Sequence, residues 1–235
     1  MNIPDGQLGI TQHLKKMITN EPKILPDIVE GIRHYVNAYQ EMQKEGVDRA
    51  SCAHSFHQAI NELVKDAMAQ DEHKPSCKKG CSWCCYIDVE ITVDEAELLL
   101  RHVITKKIPI DWYAVRRQAE TKIKELPWKQ RACVFLDRDS HECKVYEHRP
   151  MVCRKYFVVS DAAKCNSKKY PGGETMVMGI NQAELMASAA YTLIKTGPMA
   201  KILLEVMNDG PTDNGRQRLI PQHDDTKPEA PGGSD

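Results

Sequence analysis

A chain of 235 residues is long enough to bury an ordinary core and is read as one domain. With 32 basic against 33 acidic residues, the net charge of -1 gives no global attraction to nucleic acid or to an anionic membrane. Met1-Asn-Ile-Pro-Asp-Gly lacks the basic start and apolar run of a secretory signal, and no stretch reaches transmembrane length, so a cytoplasmic protein is expected.

In chain order, Pro4, Gly6, Gly9 and Pro22 limit any first helix to about Thr11 to Thr19, within an arm. From Pro26, the apolar residues Ile28, Val29, Ile32, Tyr35, Val36 and Tyr39 recur at three- and four-residue steps, which predicts an amphipathic helix ending near Gly46. A second helix is expected from Ser51 to Ala69 on Phe56, Ile60, Leu63, Val64 and Ala67, closed by Pro75. Alternation in Tyr86-Ile-Asp-Val-Glu-Ile-Thr suits a short strand. Thr92 with Glu95 three places on forms a capping box, and Ala96, Leu98, Leu99, Val103 and Ile104 supply the apolar side of the helix that follows. Another helix spans about Asp111 to Glu125, and Asn181 to Lys195 and Pro198 to Met207 read as two more, separated by Gly197-Pro198. Beyond Gly210 the chain is rich in Pro, Gly and charge. The expected fold is therefore mainly α: an arm over residues 1–25, one helical domain over 26–209 with a cysteine core at 77–165, at most short strands, and a disordered tail over 210–235.

Eight of the nine cysteines fall between Cys77 and Cys165, four of them in Cys77-Lys-Lys-Gly-Cys81-Ser-Trp-Cys84-Cys85. In a reducing compartment such density points to metal or redox work rather than to a disulfide framework, and soft thiolates select zinc, copper(I) or iron-sulfur clusters. Cys77, Cys81 and Cys84 can converge on one centre if Gly80 takes a positive φ, while Cys85 must point elsewhere or bind a neighbouring metal. The later cysteines, Cys133, Cys143, Cys153 and Cys165, are spaced by nine, nine and eleven residues and close loops instead of forming a knuckle. Structural zinc sites favour two short Cys-x2-Cys pairs and only Cys81-Ser-Trp-Cys84 is present, so an iron-sulfur cluster or a multinuclear site fits at least as well as a zinc finger. Lys78, Lys79, Arg149, Arg154, Lys155, Lys164, Lys168 and Lys169 interleave with the thiols and either offset thiolate charge or form an ordinary solvated surface.

Cys77-x3-Cys81-Ser-Trp83-Cys84 with Gly172-Gly173-Glu174 also satisfies the short patterns of radical-SAM enzymes, yet it sits between helices rather than after a first barrel strand. His54 and His57 share a helix face and are candidate ligands, with Cys52 beside them; ordinary helix surface is the plainer reading. His141 and His148 lie between cluster cysteines and could each replace a ligand. Glu95 is explained by its cap.

Cys77-x2-Gly80-Cys81-x2-Cys84-Cys85, followed by Cys133-x-Phe135-Leu136-Asp137 and by Cys143-x2-Tyr146-Glu147-x-Arg149-Pro150-x2-Cys153-Arg154, resembles the YkgJ-like cysteine-cluster family of zinc- or iron-chelating domains. The resemblance implies that Cys77, Cys81, Cys84, Cys85, Cys133, Cys143 and Cys153 are the metal ligands, with Cys165 added, and that Tyr146, Arg149, Pro150 and Arg154 shape the shell around the cofactor. An iron-sulfur cluster is the first expectation and zinc the second. The flagellin lysine methylases, a related cysteine-rich group, suggest that such a module can also serve a protein-modifying enzyme, so whether this chain is an enzyme stays open. The two functional readings are a metal-binding module with a structural, redox or partner-binding role, and a metal-dependent enzyme acting on a peptide, protein or small molecule with S-adenosylmethionine. The partner is then a protein or a small molecule; few aromatics and balanced charge disfavour nucleic acid.

Overall fold

A computed structural model describes residues 8–70, 74–171 and 173–209. The first seven residues, Gly172 and the tail from residue 210 lie outside the described residues, so the reading of the tail as disordered and the Gly-Gly-Glu motif are not addressed by it. Eight α-helices and a single two-stranded sheet make up the regular structure among the described residues. The mainly helical expectation therefore holds. The strand-helix barrel that a radical-SAM enzyme needs is not among the described residues.

Helix α1, Gln12–Asn20, starts where the Thr11 hydroxyl accepts from the Leu14 amide. The segment is docked: Leu14 is buried with Ile28, Ile32 and Val36 of α2, Leu25–Lys44, and the Gly9 and Thr11 amides donate to the hydroxyls of Thr192 and Ser188. Gly31 on α2 lets Leu185 of α7, Asn181–Leu193, approach so closely that a Cβ at residue 31 would lie 2.7 Å from its Cδ1. Buried Ala183, Ala187, Ala189 and Ala190 keep the facing side of α7 thin. Helix α3, Arg49–Gln70, adds Cys52, Phe56, Ile60 and Val64 to the core around Tyr39 and Met151.

A second apolar centre lies beside the first. There α4, Val93–Lys106, packs Leu99 and Val103 with Val115 of α5, Trp112–Glu120, and with Ile202 and Leu203 of α8, Met199–Asp209, over Phe135. The sheet joins β1, Glu90–Thr92, antiparallel to β2, Thr196–Pro198, with Ile91 opposite Gly197. The expected strand from Tyr86 is thus shortened to its last three residues. Tyr86, its expected first residue, instead ends the 3-10 turn Trp83–Tyr86. The helix expected over 111–125 stops at Glu120 because Thr121 turns extended, at φ -130°, and Ile123–Glu125 forms a separate 3-10 turn. Among the described residues no helix is long and apolar enough to cross a membrane.

The two centres are joined through buried polar groups on the first turn of α4. Asp94 accepts from the Tyr39 hydroxyl and from Arg49 Nε, both at 2.7 Å, which ties α2 and α3 to α4. Glu95 is fully buried. Its Oε2 accepts from the Thr92 amide and hydroxyl at 3.0 and 3.2 Å, completing the capping box, and its Oε1 accepts from His57 Nε2 at 3.1 Å and from the Met151 amide at 2.7 Å. Accepting from Nε2 fixes the tautomer of His57, which leaves a lone pair on Nδ1.

Burial outweighs the carboxylate and holds the His57 pKa below its ordinary value; burial alone would raise Glu95, but the hydrogen bonds from His57, Thr92 and Met151 leave it lowered. Both signs favour neutral or alkaline conditions. Below about pH 6.5 the unfolded chain takes a proton at His57 that the folded chain refuses, and below about pH 4.5 it does so at Glu95 as well. Stability should fall between pH 7 and 5, with a slope approaching ~1.4 kcal/mol per pH unit from His57. Urea midpoints of the wild type and of His57→Gln at pH 7 and 5 check this. Equal pH slopes in the two proteins would refute it.

Candidate metal centre

The first cysteine loop is fastened at both ends. Ser76 donates through its amide to the Val158 carbonyl at 2.8 Å, and the Val158 amide donates to Cys77 Sγ at 3.4 Å. Gly80 adopts φ +83°, the left-handed conformation the wrap requires. At the other end the Cys85 carbonyl accepts from the Cys133 amide at 2.7 Å, so the first and second cysteine segments are joined by main chain.

The second segment is a tight reversal. Leu136 and Cys143 form an antiparallel bridge, and the Lys144 amide donates to the Phe135 carbonyl at 2.8 Å, which brings Cys133 and Cys143 to its foot. Phe135 and Val145 anchor it in the core, while the turn Tyr146–His148 leads to α6, Met151–Arg154, which carries Cys153. Cys165 ends a 3-10 turn, Ala162–Cys165, that packs against Trp83–Tyr86.

All nine cysteines carry free thiols, and Cys52 is buried away from the rest, its thiol donating to the Val47 carbonyl. The other eight share one region in two overlapping groups. The electrostatic influences on Cys81 and Cys165 come from Cys77 and Cys84, with Cys81 also acting on Cys165. Those on Cys85, Cys133 and Cys153 come from one another's neighbours Cys84, Cys133 and Cys143. Cys84 is common to both groups, and it is the exposed member of a set otherwise half-buried. Cys85, adjacent in sequence, sits with the later cysteines.

Electrostatics distinguish the thiols. Burial pushes Cys133 up to about 12 and Cys165 up to about 11, each raised further by neighbouring thiolates, and burial carries Cys153 well above its ordinary value. The hydrogen bond with Cys84 comes first in raising Cys85, and the same bond, with help from Arg149, lowers Cys84 to about 7. Six of the eight, Cys81, Cys85, Cys133, Cys143, Cys153 and Cys165, are thus held above the ordinary thiol value, and such a set is in need of a cation. Among the described residues no three His, Cys, Asp or Glu side chains already converge as ligands on a single point.

The flanking residues take separate roles. Arg149 stacks on Tyr146, 4.2 Å from its ring centre, and its charge favours the thiolate forms of Cys84, Cys143 and Cys153. Tyr146 is exposed beneath it. Arg154 is buried and turns its N–H groups to Asn61 Oδ1, at 2.8 Å, and to the Glu147 carbonyl. Lys79 pairs with Glu142 and Lys155 with Glu184, so these two lysines have carboxylate partners. His141, at φ +58°, lies 3.4 Å from the Ser82 hydroxyl, and His148 packs against His102 and His54, away from the thiols. His102 carries no motif that a sequence could flag; only its helical phase on α4 places it there.

Helices that frame a thiol-rich, irregular segment define the class, a helical protein with a cysteine-rich centre. Residues 76–172 match the family model described as "CxxCxxCC: Putative zinc- or iron-chelating domain". Neither a curated protein nor a solved structure matches the chain. The donor chemistry suits the family's description, because thiol sulfur is a soft donor that zinc and iron accept.

Proposed function

We propose that Cys77, Cys81, Cys84, Cys85, Cys133, Cys143, Cys153 and Cys165 hold an iron-sulfur cluster or a multinuclear iron or zinc site, with a structural, redox or partner-binding role. The observation that carries the reading is the gathering of these thiols into two groups sharing Cys84. Donors are sulfur alone in both groups, which favours iron-sulfur over the mixed sulfur and nitrogen sets common in zinc sites. Arg149, and Tyr146 through it, would offset thiolate charge and orient the site, while Arg154 would hold the helix carrying Cys153 against α3.

Anaerobic purification followed by iron, sulfide and zinc determination tests the assignment. A brown protein with broad visible absorption and iron and sulfide in matching amounts is expected. A colourless protein with stoichiometric zinc and no sulfide would replace the cluster by closed zinc sites.

An enzymatic reading has one structural observation in its favour. A cleft of about 260 Å³ opens at Tyr86, the residue after Cys85, between Ile87, Lys122, Lys124 and Arg131. No cysteine lines it, and Tyr86 is its link in sequence to the thiols. Such an enzyme would keep an exchangeable metal position, and exposed Cys84 is where the thiol shell is thinnest.

A further inference from the structure

We propose that His54, His102 and His148 form a second metal site, separate from the cysteine centre and suited to a borderline divalent transition ion such as zinc. Three elements supply the imidazoles: α3, α4 and the turn Tyr146–His148. His148 lies between the other two, with its ring centre 4.0 Å from that of His102 and 5.7 Å from that of His54. A metal–nitrogen bond of about 2.0–2.1 Å puts an imidazole centre ~3 Å from the ion, and two such rings at a tetrahedral angle then lie ~5 Å apart. The two observed separations bracket that spacing.

The second observation is an excess of unpartnered nitrogen. Nδ1 of His54 and Nδ1 of His148 are buried and make no hydrogen bond. So is Nδ1 of fully buried His57, one helical turn along α3, whose other nitrogen donates to Glu95. Ordinary packing of imidazoles does not leave three ring nitrogens in one neighbourhood without partners, since each such group costs about 1–3 kcal/mol. Carboxylate-oriented His57 has the arrangement that commonly backs a metal-ligating imidazole, and its electrostatic link to both His54 and His148 makes it a fourth nitrogen within the same neighbourhood.

Charge agrees with the geometry. Burial comes first in lowering His102 and in lowering His148 to about 4, where His102 and His54 add to the effect, so these lone pairs are free at neutral pH. Arg154 and Lys106 are the nearby cations; Arg154 is committed to Asn61 and the Glu147 carbonyl, and Lys106 acts on His102. Among the described residues no three His, Cys, Asp or Glu side chains are set to hold a metal ion, so binding requires these rings to rotate. All three rings are half-buried, which leaves an entry path.

Cobalt(II) titration of the full-length, purified protein with its cysteine centre already loaded tests this. One additional Co2+ per chain is expected, with weak visible d–d bands and no added thiolate-to-metal charge transfer in the near ultraviolet. His54→Ala and His102→Ala should each weaken that equivalent by roughly tenfold or more while the metal content of the cysteine centre and the helical circular dichroism stay unchanged. The two half-buried positions are chosen so that one variant decides if the other fails to fold. No additional Co2+ in the wild type, a new equivalent with thiolate bands, or an undiminished equivalent in a folded variant would each overturn the proposal.

Discussion

Cys84→Ser should remove metal from both thiol groups at once. Cys84 exerts an electrostatic influence on Cys81 and Cys165 on one side and on Cys85, Cys133, Cys143 and Cys153 on the other. Serine preserves shape but offers a hard, weakly acidic oxygen in place of sulfur, so ligation fails while packing is conserved. Ligation of this kind contributes on the order of 10–16 kcal/mol in small zinc domains, and in the segment from Cys133 to Cys165 only the burial of Val134, Phe135, Leu136, Val145, Met151 and Val158 would be left to oppose its loss. The expected result is more than half of the metal lost and the amides of this segment exchanging freely, with α2, α3 and α7 still protected. Cys165→Ser and Cys143→Ser should each deplete one group and spare the other. Metal content by mass spectrometry and amide hydrogen exchange on the three variants read this out. Full metal content in Cys84→Ser would contradict the ligand assignment.

The helices were legible because their apolar residues keep a period near 3.6 and their ends carry ordinary punctuation. Thr92 with Glu95 predicts the start of α4 to the residue, and Gly80 the positive φ of the cysteine loop. Gly197-Pro198 was a different case. Read as a break between helices, it makes up two of the three residues of a strand paired with Glu90–Thr92, and a contact across a hundred residues leaves no local trace. Spacing showed that the thiols belong to a metal site, but it could not say that Cys85 sits with Cys133 and Cys143 while Cys84 stands between both groups. That partition depends on the Cys85 carbonyl accepting from Cys133 and on the Leu136–Cys143 bridge, both products of tertiary folding. Glu95 shows the same limit. Its cap accounts for only one of its two oxygens.

The other oxygen makes Glu95→Ala the most damaging single change expected outside the cysteines. Truncation leaves the His57 Nε2–H, the Met151 amide and the Thr92 amide without an acceptor inside a site with no solvent access. Loss of a cap costs about 1 kcal/mol and each stranded buried donor about 1–3 kcal/mol, partly relieved by relaxation, so a loss of ~3–5 kcal/mol is expected. Glu95→Gln should cost less. Its carbonyl can still serve His57 and Met151, but its amide N–H then faces the Thr92 amide, donor against donor. The consequence reaches the metal, because Met151 opens the short helix that carries Cys153 and loses its anchor with the carboxylate. Glu95→Ala should therefore lower metal retention under chelator challenge as well as the urea midpoint, and Glu95→Gln should lie between it and the wild type in both. A Glu95→Ala protein with wild-type stability would show that the carboxylate does not hold α3, α4 and the Cys153 helix together.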